Sequence, residues 1–312
     1  MKVIAEKDLL ATMDASEKVI FSLRAIYRRA GYTQYTMGKF EEYDLYSKNK
    51  DFLISDGVIT FTDTNGKLLA LKPDVTLSIV KNHKDAANGV EKLCYNESVY
   101  RISQIGGNFR EISQTGIECL GKIGIRNKRE VLALAEQSLA LISDNYRLQV
   151  CDLDILEAFI EHASKNENCA SELRKCAKKK STQEIEKLCA EYTIPAERCA
   201  PLIALLKLRG EPGFVLPKLK ELIGKYKIKA TTSALEAALG KMSKEISLDF
   251  SLTANNHFYN GIVFQGFIDG IPSRVLSGGQ YDNLMARMGK KSHAIGFAVY
   301  VDTLSRYLRG GK

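Results

Sequence analysis

Four short segments of the sequence carry polar side chains whose types could bind a small charged molecule. They are LALKPDVTLSIVKN at 69–82, VYRISQIGGNFREISQTGIECLG at 99–121, HFYNGIVFQG at 257–266 and SGGQYDNL at 277–284. Carboxylates, a guanidinium, an amide and phenols supply charged and hydrogen-bonding groups of the kind that small-molecule sites use. Each segment alone also fits a structural interpretation, such as a strand and proline turn before a helix capped by Asp74 or Thr76.

The cysteines and histidines form no recognisable metal-binding or catalytic pattern. No two of the seven cysteines make a C-x-x-C pair, so we expect buried or half-buried free thiols rather than disulfides or metal ligands. The four histidines are scattered, lack H-E-x-x-H spacing, and are expected to be structural. The residues concerned are Cys94, Cys119, Cys151, Cys169, Cys176, Cys189, Cys199, His83, His162, His257 and His293.

The composition indicates a globular protein that stays out of membranes. The chain has 312 residues, of which 45% are apolar, enough for a substantial core. Its start alternates charged and apolar residues without the apolar centre of a secretory signal. The longest apolar run, PLIALLKL, is too short to cross a bilayer. We therefore expect a cytoplasmic protein with no membrane partner.

The basic charge does not indicate a nucleic-acid site. The net charge is +8, but the excess is diffuse, and its densest run is KCAKKK at 175–180. This run ends an amphipathic segment, which favours a solvated helix terminus. The strand-rich part also lacks the interleaved aromatic residues of a base-stacking surface.

Hydrophobic spacing predicts the elements that position the four segments. Residues 14–30 have helical spacing and stop at Gly31. The period then shortens to two, with a hairpin at Asn65-Gly66 and two antiparallel strands, KLCYNESVYRIS and REISQTGIECLG. A helix near 127–143 follows.

The second half of the chain predicts the fold class. Residues 151–245 are rich in Leu, Ala, Lys and Glu at helical spacing and suggest an inserted helical subdomain. Strands return afterwards, and SHAIGFAVYVDTL at 292–304 is typical of a strand, a glycine turn and a helix start. A sheet interrupted by helices indicates an α+β fold with a largely antiparallel sheet.

Taken in order, the segments resemble the family of histidyl-tRNA synthetases and their paralogues, the regulatory subunits of ATP phosphoribosyltransferase. The similar motifs are LRPE-x-T at Leu71–Thr76, FR at Tyr100–Arg101, Q-x-G-x-E-x-x-G at Gln114–Gly121, YYTG-x-V-F at Phe258–Phe264, GGRYD-x-L at Gly278–Leu284, and GFA from Gly296. FR and Q-x-G-x-E-x-x-G are the two ends of one strand–loop–strand match, so these motifs make five ordered matches across most of the chain, which is a specific signal.

The resemblance implies a class II aminoacyl-tRNA synthetase-like antiparallel sheet flanked by helices, with a helical insertion. Residues 1–150 and 246–312 would form the synthetase-like core, and 151–245 the insertion. A histidyl-tRNA synthetase continues beyond this point, whereas this chain stops eight residues after Leu304. We therefore expect no anticodon-binding domain.

The resemblance also implies a pocket for free histidine. The implied roles are ammonium recognition by Asp74, Thr76 and Gln114, carboxylate recognition by Arg101, and imidazole recognition by Glu118 and Tyr259, with Tyr281 completing the lining. Asp74 stands where the family has the longer Glu.

Several departures from the family's pattern argue against amino-acid activation. The family places cations where this chain has Thr303 and, by the register of the motifs, Ala254. GGRYD has become GGQYD, with Gln280 replacing a cation, and Gly38 stands near the expected proline of the first class II motif. Loss of one preorganised electrostatic group commonly costs about 10²–10³ in rate. We therefore predict no catalytic residue.

The pattern that remains is that of the regulatory paralogue. Its implied partner is a short-form ATP phosphoribosyltransferase catalytic subunit, which joins ATP to phosphoribosyl pyrophosphate with Mg²⁺ on the substrates. This chain would hold no metal or cofactor, form a homodimer within a hetero-oligomer, and respond to histidine as feedback effector. Whether histidine occupies the inherited pocket or the subunit interface stays open.

Three alternatives also stay open. The pocket residues could merely satisfy one another in the core. The chain could be a divergent amino-acid-activating ligase that uses Arg101 and Arg110. It could also be an RNA-binding paralogue.

Overall fold

The elements follow the hydrophobic periods of the sequence in this computed structural model, which describes residues 6–53, 57–85, 89–102, 107–241, 243–252 and 258–310. Within these ranges the helices are α1 (Glu6–Thr12), α2 (Ala15–Arg29), α3 (Tyr43–Ser47), α4 (Thr76–Asn82), α5 (Ile125–Ile142), α6 (Leu153–Ala163), α7 (Glu167–Lys178), α8 (Thr182–Glu191), α9 (Ala196–Lys207), α10 (Pro212–Tyr226), α11 (Ser233–Leu239), α12 (Asp282–Arg287) and α13 (Val301–Gly310). The strands are β1 (Thr33–Gln34), β2 (Phe40–Glu42), β3 (Thr60–Thr62), β4 (Leu68–Leu71), β5 (Val90–Ile102), β6 (Phe109–Gly121), β7 (Tyr146–Asp152), β8 (Arg209–Gly210), β9 (Ile246–Asp249), β10 (Asn260–Ile268), β11 (Leu276–Gln280) and β12 (His293–Tyr300).

The described strands form a nine-stranded sheet in the order β1-β5-β6-β12-β11-β10-β7-β9-β8. Neighbours run antiparallel, except β1 with β5 and β7 with β9, which are parallel. The predicted α+β fold with a largely antiparallel sheet is confirmed. The predicted pairing of KLCYNESVYRIS with REISQTGIECLG is also confirmed, because β5 and β6 pair along their whole length.

A smaller sheet, β2-β4-β3, contains the hairpin predicted at Asn65-Gly66. Gly66 has a φ of +79°, which glycine adopts without the steric penalty of a Cβ. The turn predicted between β5 and β6 includes residues 103–106, which lie outside the described residues.

Helices α2 and α5 cover one face of the large sheet. Helix α2 begins with a capping box, in which Asp14 and Glu17 each accept the other's backbone N–H. The hydroxyls of Tyr27 on α2 and Ser138 on α5 hydrogen bond at 2.9 Å. Tyr27 also contacts Phe297 of β12 edge-on, with ring centroids 5.9 Å apart. Phe297 therefore faces the helices, and its neighbours along β12 face the other way.

The predicted helices are present in the structure. Those at 14–30 and 127–143 are confirmed as α2 and α5. The segment 151–245 contains helices α6 to α11, although its first two residues belong to β7. One hydrophobic core extends from the sheet into these helices, where Phe159 and Leu202 are buried. That the segment is a separate inserted subdomain stays a prediction.

The glycine turn predicted at 292–304 is wrong. Gly296 lies in the middle of β12, opposite Glu118 on β6 and Gly279 on β11, and the strand passes directly into α13. The absence of a side chain at Gly296 lets the Glu118 carboxylate lie close to β12, because a Cβ at Gly296 would overlap that carboxylate. Periodicity could not distinguish this use of glycine from a turn.

The structure also corrects the prediction that every cysteine is a free thiol. Cys189 of α8 and Cys199 of α9 form a disulfide, because packing of these two helices brings their Cα atoms to 6.7 Å. Their ten-residue separation in sequence does not reveal that contact. The cysteines that are free and buried, as predicted, are Cys94, Cys119, Cys151, Cys169 and Cys176.

Metal binding and membrane insertion each need a characteristic local arrangement of residues. Among these residues, no cluster of His, Cys, Asp and Glu side chains is arranged to hold a metal ion. None of the described helices combines the length and apolar character needed to span a membrane.

The close approach of β11 and β12 predicts a large stability difference between two Gly→Ala variants. A Cβ at Gly278 would overlap the Gly296 carbonyl oxygen and the Phe297 Cβ, so Gly278→Ala should destabilise by about 1–3 kcal/mol. Gly224 in α10 is exposed, with no atom near an added Cβ, so Gly224→Ala should stabilise by about 0.5–1 kcal/mol. Urea unfolding of both variants measures the difference, and equal stabilities would contradict this packing.

Candidate ligand-binding pocket

A cavity of about 500 Å³ lies on the face of the large sheet opposite α2 and α5. Its floor is a row of directly paired positions on five adjacent strands: Tyr95, Gly116, Ala298, Ser277 and Gln265. The Tyr95 side chain covers Gly116, whereas Ala298 and Ser277 have small side chains that leave open space above the sheet. The volume is in the range of small-molecule sites, roughly 300–1,000 Å³.

All seven residues predicted to bind a ligand line this cavity. They are Asp74 and Thr76 at the start of α4, Arg101 on β5, Gln114 and Glu118 on β6, Tyr259 before β10, and Tyr281 after β11. Residues far apart in sequence therefore converge because β5, β6, β12, β11 and β10 are neighbours. The binding roles assigned to them stay predictions.

Glu118 is the buried acid at the centre of the cavity. The Thr76 hydroxyl donates to its Oε1 at 2.8 Å, and the Tyr281 hydroxyl donates to its Oε2 at 2.6 Å. Burial raises the pKa of Glu118 to about 8, although both hydrogen bonds act to lower the pKa. The carboxyl group is therefore mostly protonated at neutral pH.

Asp74 and Arg101 form a second buried group in the lining. Arg101 Nη2 lies 3.2 Å from Asp74 Oδ2, and Arg101 Nε donates to the Pro73 carbonyl at 2.6 Å. Asp74 Oδ1 accepts the Leu77 backbone N–H at 3.0 Å, so it also caps the start of α4. Burial raises the pKa of Asp74 despite the opposing charge of Arg101. The family resemblance assigns Asp74 to the ammonium of a ligand and Arg101 to its carboxylate. In this structure the two side chains bind each other instead.

Aromatic rings form one wall of the cavity. The Phe258 ring centroid lies 4.6 Å from that of Tyr259 and 5.7 Å from that of Tyr281. Phe52 contacts Phe258 at a centroid distance of 6.2 Å. Burial raises the pKa of both tyrosines, so their hydroxyls stay neutral and able to donate hydrogen bonds.

The family follows from a comparison across the chain. The family model described as histidyl-tRNA synthetase matches residues 6–304. The chain belongs to the histidyl-tRNA synthetase family. The resemblance inferred from the ordered motifs is confirmed.

Individual proteins are also similar over most of the chain. The ATP phosphoribosyltransferase regulatory subunit of Clostridium novyi (strain NT) is 26% identical over 309 residues, covering 92% of this chain and 71% of that protein. The crystal structure of an ATP phosphoribosyltransferase regulatory subunit/histidyl-tRNA synthetase from Bacillus halodurans C is 21% identical, with a TM-score of 0.78, covering 99% of this chain and 82% of that chain. A chain of the ATP phosphoribosyl transferase (HisG:HisZ) complex from Thermotoga maritima is 17% identical, with a TM-score of 0.69, covering 93% of this chain and 98% of that chain. The two structural likenesses establish a shared fold.

Gln280 has a structural role at the position where the histidyl-tRNA synthetase motif carries a cation. Its Oε1 accepts the Ile262 backbone N–H at 3.0 Å. Its side chain also lies against Gly261, whose φ of +55° and lack of a Cβ permit that contact. Thr303 lies within α13, and Ala254 lies outside the described residues.

Two cations at the cavity edge are absent from the sequence prediction. Lys178 ends α7, and Arg274 precedes β11; both side chains are exposed, and neither forms a hydrogen bond or ion pair with a described residue. The basic run at 175–180 is the solvated end of α7, as predicted, and Lys178 within it also borders the cavity. The sequence contains no signal that distinguishes Arg274 from other surface arginines.

The Glu118→Gln variant has no ionisable group at this position. Because the pKa of Glu118 is raised in the folded wild type, the stability difference between the wild type and this variant should depend on pH. A raised folded-state pKa gives stability that is fully present below the unfolded pKa and is lost as the pH rises through the folded pKa. For Glu118 this interval runs from 4.5 to about 8. The unfolding free energy of the wild type, relative to the variant, should fall by about 1.4 kcal/mol per pH unit in that interval.

Urea unfolding across that interval measures this slope. Glu111→Gln is the matched control, because Glu111 is on the same strand and exposed. Its stability should follow the wild type at every pH. Parallel pH curves for the wild type and Glu118→Gln would show that Glu118 ionises normally in the folded chain.

Proposed function

We propose that this protein is the regulatory subunit of ATP phosphoribosyltransferase, acting in the first step of histidine biosynthesis without catalysing a reaction itself. The observation that carries the proposal is the alignment with a subunit of that name over 92% of this chain. The HisG:HisZ complex with a similar fold supports a catalytic subunit as partner. A homodimer within a hetero-oligomer is part of the same proposal.

Free histidine is the effector that we propose for the cavity. Glu118 has a raised pKa near that of an imidazole, so one proton can be shared between a carboxyl group and a ring nitrogen. Thr76 and Tyr281 hold the two oxygens of Glu118 in fixed positions. Tyr259 and Phe258 provide an aromatic wall against which a flat ring can lie.

The proposed regulation requires histidine to bind differently to the active and inhibited assemblies. Such coupling free energies are typically about 1–3 kcal/mol. The chain would contribute binding and positioning, while ATP, phosphoribosyl pyrophosphate and their Mg²⁺ ions would bind the catalytic subunit.

The direct experiment combines this protein with a short-form catalytic subunit and measures pyrophosphate release with and without histidine. We expect higher activity on mixing and inhibition by histidine. Absence of both binding and activation would refute the regulatory assignment.

Removing the acid from the pocket should weaken histidine binding. A proton shared between the Glu118 carboxyl group and the imidazole makes their contact a charge-assisted hydrogen bond, which contributes about 1.5–3 kcal/mol, so Glu118→Gln should raise the histidine Kd by roughly 10- to 100-fold in calorimetry. Glu111→Gln is the matched control and should leave that Kd unchanged. If histidine binds only the mixed subunits, the effector site is at the interface and not in this pocket.

A divergent amino-acid-activating ligase is the second candidate. The family match and the two edge cations, Lys178 and Arg274, favour it. Histidine-dependent exchange of pyrophosphate into ATP by the purified chain would establish this activity. We expect no exchange.

A further inference from the structure

The charges that line the cavity are unevenly distributed between its interior and its edge. Among the described lining residues, the cations are Arg101, Lys178 and Arg274. Arg101 is buried and bound to Asp74, whereas Lys178 and Arg274 are exposed and form no hydrogen bond or ion pair with a described residue. The interior therefore offers no free positive charge to an anionic ligand group.

A ligand carboxylate is costly to bury without a partner. The other polar groups of the interior carry no positive charge: they are the acids Asp74 and Glu118, the hydroxyls of Thr76 and the tyrosines, and the Gln114 amide. A carboxylate placed beside Asp74 would compete with it for Arg101, which also donates to the Pro73 carbonyl. The favourable position for a ligand carboxylate is therefore the cavity edge.

We propose that Lys178 and Arg274 bind the carboxylate of the amino-acid ligand, which therefore spans the cavity from Glu118 to its edge. The inference rests on the proposed function, and it replaces Arg101 as the residue that recognises the carboxylate. Gln265 and Ser277 lie on the strand row that borders the same cavity and offer neutral hydrogen-bonding groups. Arg274 enters the cavity lining from the chain just before β11.

The end of α7 is held in a defined place over the sheet. Lys180 has a left-handed φ of +57° and forms an ion pair with the buried Asp249 of β9, with Nζ and Oδ2 3.3 Å apart. This contact ties the chain directly after Lys178 to β9. The carbonyl end of a helix repels anions, so the attraction must come from the side chains of Lys178 and Arg274.

This placement connects the ligand to the helical segment α6 to α11. Lys178 belongs to α7, whereas Arg274 and Glu118 belong to the sheet region. A ligand carboxylate held by both cations would therefore link α7 to the sheet. An analogue without a carboxylate could occupy the interior and would not make this link.

The test compares histidine with histamine, which has the same ring and amine but no carboxylate. Calorimetry measures both Kd values for the wild type, Lys178→Ala, Arg274→Ala and Lys179→Ala, an exposed neighbour that lies outside the cavity lining. We expect each cavity-edge variant to bind histidine about three- to tenfold more weakly and histamine unchanged. Lys178→Arg should retain histidine binding, and Lys179→Ala should match the wild type.

The outcomes separate this inference from the proposed function. If the wild type does not bind histidine at all, the proposed histidine site fails. If it binds histidine, but both cavity-edge variants leave histidine binding unchanged or weaken histidine and histamine equally, the proposed function survives and the carboxylate assignment fails. Hydrogen exchange gives an independent measure: histidine should protect α7 amides more than histamine does, and equal protection would overturn the link to α7.

Discussion

A buried carboxyl group facing a glycine on the adjacent strand is the constraint around which the cavity is arranged. Gly296 is directly opposite Glu118, and any side chain there would occupy the space of the carboxylate. The absence of that Cβ lets a large polar side chain lie flat within a sheet. Once Glu118 is there, Thr76 and Tyr281 are needed as donors, since an unsatisfied buried carboxyl would be strongly destabilising. The close contact between β6 and β12 thus determines which polar side chains are needed in three distant segments: β6, the start of α4 and the chain after β11.

The electrostatics of the cavity follow from burial. Inside, Asp74 is compensated by Arg101, and Glu118 avoids charge by holding its proton near neutral pH. Positive charge is free at the solvent-exposed edge, on Lys178 and Arg274. Gln280 replaces a family cation and instead satisfies a backbone amide of β10. A neutral interior with a cationic edge suits a small zwitterion better than it suits a polyphosphate held deep inside.

The sequence predicted what local periodicity and ordered motifs can encode. Alternation predicted the pairing of β5 with β6, helical spacing predicted α2, and the motifs predicted seven of the residues that line the cavity. The sequence could not predict that Lys178 borders the cavity. Helical spacing shows that this face of α7 is solvated, but it does not show which other part of the fold lies next to it. The Cys189–Cys199 disulfide was missed for the same reason, since it depends on how α8 and α9 pack. Gly296 was misread because glycine serves turns and close strand contacts alike.

The continuous hydrophobic core has a practical consequence. Because buried side chains of the sheet and of α6 to α9 touch within one cluster, loss of structure in either part would expose apolar surface of the other. A metabolite that binds only the folded sheet raises the midpoint of its unfolding by an amount set by the metabolite concentration relative to its Kd. Simple dye-based melting of the purified chain thus provides a screen for effectors of any chemistry, including those not foreseen from the family.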